Sequence, residues 1–158
     1  MSIKSQGSEL FIVDNFTTPA TPAIVKLKCP TGITGLGGAR DQIENTCLDA
    51  TEDRTYVSGL GNPGQVSVPF NLDPSAVSHQ LLFDMKESGA NTQFVIGFSD
   101  GTAAPTILTD TVTPPTGRTT AVFTAYVADV NIDIATNTIV TGTLTLQRSG
   151  AVTWNWKA

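Results

Sequence analysis

Charged residues are scarce in this chain of 158 residues, where Asp, Glu, Lys and Arg together make up 15%. An average globular domain carries roughly 25%. The formal net charge is −5. Because a grip on nucleic-acid phosphates needs clustered Lys and Arg, this balance argues against a protein that holds DNA or RNA by its backbone. It leaves open a surface past which nucleic acid slides.

Cysteine, histidine and long apolar runs are also rare. The two cysteines are Cys29 and Cys47, and the one histidine is His79. No apolar segment behind Met1 has the form of a secretory signal, and no run approaches the ~20 residues of a membrane span. We therefore expect a chain made in the cytosol, with no membrane insertion and with two buried thiols in preference to a disulfide.

Residues typical of strands and turns make up for these shortages. Threonine is the commonest residue, and it is accompanied by 14 Gly and 9 Pro, a composition that favours β-structure with many turns. The predicted fold is mainly β, a single domain over residues 1–158. It is a β-sandwich or partial barrel of about eight strands with one flanking α-helix (73–88) and a long loop (51–64). The predicted strands are 10–13, 23–29, 42–50, 65–71, 92–99, 119–134, 139–147 and 152–156, and the sixth is long enough to need a bulge.

The one convincing helix is written DPSAVSHQLLFDMKESG. Asp73 is the predicted N-cap, Pro74 the first helical residue and Gly89 the left-handed residue past the end. A spacing of about 100° per residue gives one apolar face, made of Val77, Leu81, Leu82 and Met85. His79 and Phe83 fall on the other side and are candidates for a helix interface. For Phe83 a surface aromatic, a second core contact and a subunit contact all stay open.

The loop TEDRTYVSGLGNPG, residues 51–64, is rich in Gly but also carries apolar and aromatic side chains. Loops of this length without structure of their own are usually functional or disordered, and an apolar loop is a poor candidate for plain disorder. We therefore predict an arm that becomes ordered against another subunit. Its candidate contact residues are Arg54, Tyr56, Val57, Leu60 and Asn62.

Three patterns resemble chemical motifs but lack the context that their chemistry needs. The G-x-G-x-x-G from Gly59 to Gly64 precedes a period-2 strand, whereas a dinucleotide site needs a helix there. Asp129, Asn131 and Asp133 match the start of a calcium loop without its Gly or final Glu. The acids between residues 41 and 53 are bracketed by Arg40 and Arg54 and indicate a solvated or interface surface. We predict no catalytic, cofactor or metal site.

The order of these elements resembles a known family. The pieces that carry the resemblance are the strand and loop QIENTCLDATEDRTYVSGLGNPGQVSVPFN, the single helix, the strand QFVIGFSDG, the long strand FTAYVADVNIDI and the closing TGTLTLQRSGAVTW. Over nearly the whole chain this is similar to the major tail tube proteins of long non-contractile-tailed bacteriophages, whose fold is shared with type VI secretion tube proteins.

The resemblance implies a structural virion protein that stacks as hexameric rings into a tail tube for genome DNA. Its implied partners are further copies of itself and the tail tip, tape measure and terminator proteins, with DNA passing through the lumen without specific binding. If six subunits each lend four strands, ~24 strands at ~45° tilt enclose a barrel of about 50 Å backbone diameter. The implied location is the virion tail, after assembly in the host cytoplasm. The alternative is a free-standing β-sandwich that binds carbohydrate through Trp154 and Trp156, although these share a strand face with the predicted core.

Overall fold

A computed structural model describes residues 2–15, 22–108 and 111–158. It is mainly β with one helix, as expected. The helix α1 (Val77–Ser88) lies between the fifth and sixth strands. The strands are β1 (Glu9–Asp14), β2 (Ala23–Lys26), β3 (Arg40–Glu44), β4 (Tyr56–Gly61), β5 (Gln65–Asn71), β6 (Thr92–Gly97), β7 (Thr106–Leu108), β8 (Thr111–Thr113), β9 (Thr120–Asp133) and β10 (Thr141–Asn155).

Six of these strands form one antiparallel sheet in the order β2-β1-β6-β9-β10-β5, and β3–β4 and β7–β8 are separate two-stranded hairpins. The sheet is not closed into a barrel, but one segment links its two outer edges. Directly after the edge strand β2, the Leu27 N–H donates to the Leu10 carbonyl of β1, and at the β5 edge the Asn71 N–H donates to the Cys29 carbonyl. A bridge between Thr34 and Ser67 continues this contact. The sheet therefore curves around its core.

The core lies on the inner face of this curved sheet. Strand β5 shows the predicted alternation, because Val66, Val68 and Phe70 are fully buried. Opposite Phe70 on β10 stands Gly142, where an added Cβ would lie 2.6 Å from the Phe70 ring. Only glycine lets the ring pack this closely. The other core residues are Leu10, Ile12, Leu27, Leu81, Leu82, Met85, Phe94, Ile96, Ala121, Phe123, Ala125, Val127, Val130, Leu144 and Leu146.

Strand β9 contains the predicted irregularity, but its effect on the faces was not foreseen. The register between β9 and β10 shifts where Asp129 pairs with Thr145 and Val127 with Leu146. A bulge moves the following residues to the opposite face. From Ala121 the buried residues are therefore odd-numbered before the shift, whereas Val130 after it is even-numbered, so Val122 and Tyr126 do not share the face of Val130, as an uninterrupted alternation would require.

The helix starts later than predicted. Its N-cap position is Ala76, which makes no capping side-chain bond, so Asp73 and Pro74 are not its cap and first residue. The Asp73 carboxylate instead accepts hydrogen bonds from the Ser75 N–H and hydroxyl and pairs with Lys28 at 2.5 Å. The C-terminal prediction is confirmed, because Gly89 has φ 68° and its N–H donates to the Met85 carbonyl.

The helix faces also need correction. Leu81, Leu82 and Met85 are buried as expected, whereas Val77 is 70% exposed and lies outside the core face. Phe83 is 40% exposed, which places it away from that face. The prediction that His79 is exposed is wrong, since it is 1% exposed. Its Nδ1 accepts the Asp73 N–H, and its Nε2 lies 2.7 Å from the Lys28 carbonyl.

The two cysteines lie at the surface, whereas one arginine is buried. Cys29 and Cys47 are free but exposed, so the expectation of buried thiols is wrong. Arg118 is fully buried and donates to the carbonyls of Gly7, Gly97, Phe98 and Ala103. It also lies 3.2 Å from the Glu9 carboxylate. One side chain thus fastens the N-terminal segment, the end of β6 and the loop after it.

Candidate assembly surfaces

The segment predicted as a long loop, residues 51–64, contains the strand β4 (Tyr56–Gly61). Tyr56, Val57 and Ser58 pair with Glu44, Ile43 and Gln42, so β3 and β4 form an antiparallel hairpin. The pairing continues beyond the strands, where the Asn45 N–H donates to the Thr55 carbonyl. The Gly and Pro content hid this strand, although Tyr and Val favour β-structure. Within the described residues the hairpin forms no part of the six-stranded sheet.

The hairpin exposes the apolar side chains that a strand normally buries. Leu60 is 84% exposed and Leu48, in the turn, is completely exposed. Ile43, Tyr56 and Val57 are each about half exposed. Several large apolar side chains left exposed on one element favour an interaction site. The structure therefore places the predicted arm residues Tyr56, Val57 and Leu60 together on one projecting element.

The two polar arm candidates lie at opposite ends of the hairpin. Arg54 is near the turn, 3.9 Å from the Glu44 carboxylate with both side chains largely in solvent, a pair of small energetic value. Asn62 is at the base, where its N–H donates to the Ala39 carbonyl at 2.8 Å. Five acids, Asp41, Glu44, Asp49, Glu52 and Asp53, make the hairpin strongly negative.

The two tryptophans are more exposed than predicted. Trp156 is 73% exposed and Trp154 39%, so they do not belong to the core. Their rings stack with centroids 5.5 Å apart, and Trp154 stacks on Phe98 at 5.8 Å. The aromatic row has an open outer face, which sequence periodicity had assigned to the interior.

The remaining motifs have ordinary roles in the fold. Gly59–Gly64 runs from β4 into β5, so a strand follows it and not a helix. Asp129 pairs with Lys86 at 3.3 Å, and Asn131 donates to Asp133. Among the described residues no group of three His, Cys, Asp or Glu side chains is placed to hold a metal ion. In the same ranges no helix is long and apolar enough to cross a membrane.

Comparison with known proteins identifies the family. A model described as phage tail tube, TTP, lambda-like matches residues 1–158. The chain belongs to this family. Structural protein 3 of Pseudomonas phage PAJU2 is 33% identical over 153 residues, covering 94% of this chain and 90% of that protein. The tail tube protein described here is therefore a structural component of a phage virion.

Solved structures share its fold at low sequence identity. The SPP1 tail tube protein has a TM-score of 0.69 and 12% identity, over 98% of this chain and 79% of that one. The sheath/tube terminator of the PVC extracellular contractile injection system has a TM-score of 0.70 and 14% identity, over 99% and 98% of the two chains. These likenesses concern the fold of one subunit.

Proposed function

We propose that this tail tube protein polymerises as stacked hexameric rings into a conduit for genome DNA, with a structural and not an enzymatic role. The observation that carries the proposal is the β3–β4 hairpin, which projects apolar side chains that the subunit itself leaves exposed. Exposing apolar side chains to water is unfavourable in free energy, and packing against a neighbouring subunit would remove this exposure. The net charge of −5 suits a lumen through which DNA passes, because an attractive lumen would retain phosphates.

The hairpin serves as the arm between subunits. Fully burying a Val or Leu side chain is worth about 1.5–3 kcal/mol, and Val57 and Leu60 are 49% and 84% exposed in the single chain. Tyr56 adds area together with a polar tip, and Arg54 and Asn62 supply donors at the two ends. The arm is a formed hairpin in the single chain, so the earlier expectation of a loop that orders only on assembly does not hold for β4.

Phe83 offers a second contact, from the outer side of α1. It is 40% exposed, while the helix residues on the opposite side pack on the sheet. His79, the other helix candidate, acts within the subunit by joining α1 to the backbone of Asp73 and Lys28. The helix seam of the tube is therefore assigned to Phe83 alone.

The other partners follow from the same role. A tail tube that grows by stacking rings needs a tip to start from, a tape measure protein in its lumen and a terminator to close it. DNA passes without specific binding, and the subunits assemble in the host cytoplasm before they become part of the virion. Sugar binding by Trp154 and Trp156 is the alternative, and a glycan array separates it from assembly.

Electron microscopy of purified protein tests the proposal. We expect rings or tubes from the wild-type chain and none from Val57→Ser/Leu60→Ser, with an unchanged thermal midpoint. Leu108→Ser is the matched control, since Leu108 is 75% exposed on a different hairpin. Wild-type protein that stays monomeric at high concentration, even with tail tips as template, would contradict assembly. Equal loss in the control would contradict the assignment of the arm.

A further inference from the structure

A second buried arginine lies at the base of the hairpin, and none of the described residues gives it a counter-charge. Arg148 on β10 is 4% exposed. One of its Nη atoms donates to the Gly37 carbonyl, while its Nε has no hydrogen-bond partner among the described residues. The same ranges place no carboxylate within ion-pair distance of it. A buried charge is normally paired, so this guanidinium needs a partner that the described residues do not supply.

Arg148 lines an open pocket of about 540 Å³, the basal pocket, beside Arg40, Asn62 and Trp154. None of the described residues lining the pocket is acidic, although the whole chain carries 14 acids and nine basic residues. Asp41, the neighbour of Arg40 in sequence, lies against Gly59 on the hairpin instead. The pocket is therefore a local concentration of positive charge on an acidic protein.

The backbone around Arg148 is shaped to leave room there. An added Cβ at Gly38 would lie 3.2 Å from its Nη2 and 2.8 Å from the Asn62 carbonyl, so a larger residue would crowd the guanidinium. On the other wall the β9–β10 register jumps between Ser149 and Thr153, and the bulged residues from Gly150 to Val152 line the pocket. Bulges often occur next to functional sites, where they redirect side chains.

A group of opposite charge lies at the far end of the same hairpin. The acidic turn, residues 45–55, carries Asp49, Glu52 and Asp53, all exposed. Strands β3 and β4 separate this turn from the basal pocket by five to six residues, about 17–20 Å at the rise of a β-strand. The turn of one subunit therefore does not reach its own pocket.

We propose that the basal pocket binds the acidic turn of a second copy of this chain, with a carboxylate of Asp49, Glu52 or Asp53 pairing with Arg148. The contact joins two different surfaces of identical subunits. A head-to-tail contact of this kind closes into rings or continues as a filament. The inference rests on the proposed assembly, because it names which surfaces meet in it.

A double-mutant cycle measures the pairing. Arg148→Gln keeps a donor for Gly37 but removes the charge, and Asp49→Asn/Glu52→Gln/Asp53→Asn neutralises the turn. Each is expected to raise the critical concentration for tube formation at least about tenfold, as removal of one partner of a desolvated charge pair does. The combination should be no worse than the more severe of the two. Losses that multiply would overturn the proposal.

Neutralising two other exposed acids, compared with Glu52→Gln/Asp53→Asn in the turn, provides the matched control. Asp129→Asn/Asp133→Asn removes two charges from β9, away from both the hairpin and Phe83. Its effect on the critical concentration should be less than about threefold and should multiply with that of Arg148→Gln. If this control weakens assembly as much as the acidic-turn variant, general charge is responsible and the pairing is refuted.

Cross-linking tests the contact in the assembled tube. Cys47 lies in the acidic turn and is exposed, and Ala151 lines the basal pocket. In a Cys29→Ser background, Ala151→Cys should give a ladder of disulfide-linked subunits on oxidation, whereas Ala90→Cys, after the helix, should not. A ladder from both, or from neither, would count against the contact.

A peptide experiment separates this inference from the assembly proposal. The assembly-deficient Val57→Ser/Leu60→Ser protein is titrated by calorimetry with a peptide of residues 45–55 carrying Ser for Cys47. Binding that falls at least tenfold in Arg148→Gln supports the pocket, even if the wild-type chain forms no tubes. Tubes without such binding would refute the pocket alone. Arg148-dependent binding of inorganic phosphate or duplex DNA, but not of the peptide, would refute it in favour of a nucleic-acid contact.

Discussion

The six-stranded sheet and the β3–β4 hairpin both carry apolar side chains, but the sheet buries most of its own within the subunit, whereas the hairpin leaves its own exposed. In β5 the residues Val66, Val68 and Phe70 are fully buried, whereas in β4 Leu60 is 84% exposed. The helix and the segment from Leu27 to Thr34 cover the inner face of the sheet, whereas none of the described residues covers the hairpin in the same way. The sheet therefore stabilises the subunit, and we propose that the hairpin is stabilised by a neighbouring subunit.

The two buried arginines repeat this difference. Arg118 in the body donates to four carbonyls and pairs with Glu9. The side chain of Arg148, at the hairpin base, donates to a single carbonyl. In the described residues no carboxylate lies within ion-pair distance of it. A fully satisfied buried charge holds a fold together, whereas an unpaired one is costly to the isolated subunit. Under our proposal, Arg118 stabilises the isolated subunit, whereas Arg148 gains its partner from a neighbouring subunit.

The largest expected effect is the loss of subunit stability on replacing Arg118, the buried arginine whose partners all lie within the subunit. Arg118→Met leaves four carbonyls without their donor and removes the positive partner of the Glu9 carboxylate. We therefore expect the free energy of unfolding to fall by about 3–5 kcal/mol. Arg148→Met removes an unpaired charge and should change it by less than about 1 kcal/mol, or raise it. Urea denaturation of both variants at neutral pH measures the difference. Equal losses would mean that Arg148 is also satisfied within the subunit.

A smaller effect is expected at the outer side of the helix. Phe83→Ser should leave the free energy of unfolding within about 0.5–1 kcal/mol of the wild type, as surface substitutions do. If the helix lies in a subunit seam, the same change weakens assembly by about 1 kcal/mol for each contact, because part of the Phe83 side chain is already buried in the single subunit. Thermal midpoint and tube yield on one preparation separate the two effects. An unfolded Phe83→Ser protein would make Phe83 a core residue, and normal tubes would remove the helix from the seam.

Local patterns predicted the parts of the fold that depend on neighbours in sequence. The alternation of β5 and the C-terminal Gly89 are correct because side-chain period and left-handed φ are local properties. His79 could not be placed from its helix position, since its burial depends on the Lys28 carbonyl 51 residues away. In β9 one extra residue inverted the face assignment.

The candidate site was recovered in composition but not in geometry. The apolar and aromatic residues of the 51–64 segment marked it as an interaction element, while its glycines concealed β4. No local signal distinguishes Arg148 from Arg118, because both follow from long-range placement in the curved sheet. A Gly-rich stretch such as residues 35–38 is the one clue, since it predicts close approach of backbone to something, without naming what.

The smallest effect concerns Glu9, the residue that makes Arg118 self-sufficient. Burial of the Glu9 carboxyl raises its pKa, but the hydrogen bond and charge of Lys26 and the charge of Arg118 together lower the pKa below its ordinary value of 4.5. A carboxyl with a lowered folded-state pKa contributes stability above its unfolded pKa and loses it as the pH falls through the folded pKa. The Glu9 contribution should therefore be complete at neutral pH and fade below about pH 4.5.

Glu9→Gln isolates this contribution, because the amide has nearly the shape of the protonated carboxyl. We expect the variant to be less stable than the wild type at pH 7, and the two curves of unfolding free energy against pH to converge as the pH falls through the lowered folded-state pKa of Glu9. The remaining slope in both proteins comes from other carboxyls with lowered pKa, such as Asp100, which accepts hydrogen bonds from the Thr119 hydroxyl and N–H. Parallel curves from pH 7 to pH 3 would show that Glu9 does not titrate against Arg118. Arg118 would then be held by the four carbonyls alone, and the contrast with Arg148 would rest on hydrogen bonding instead of charge.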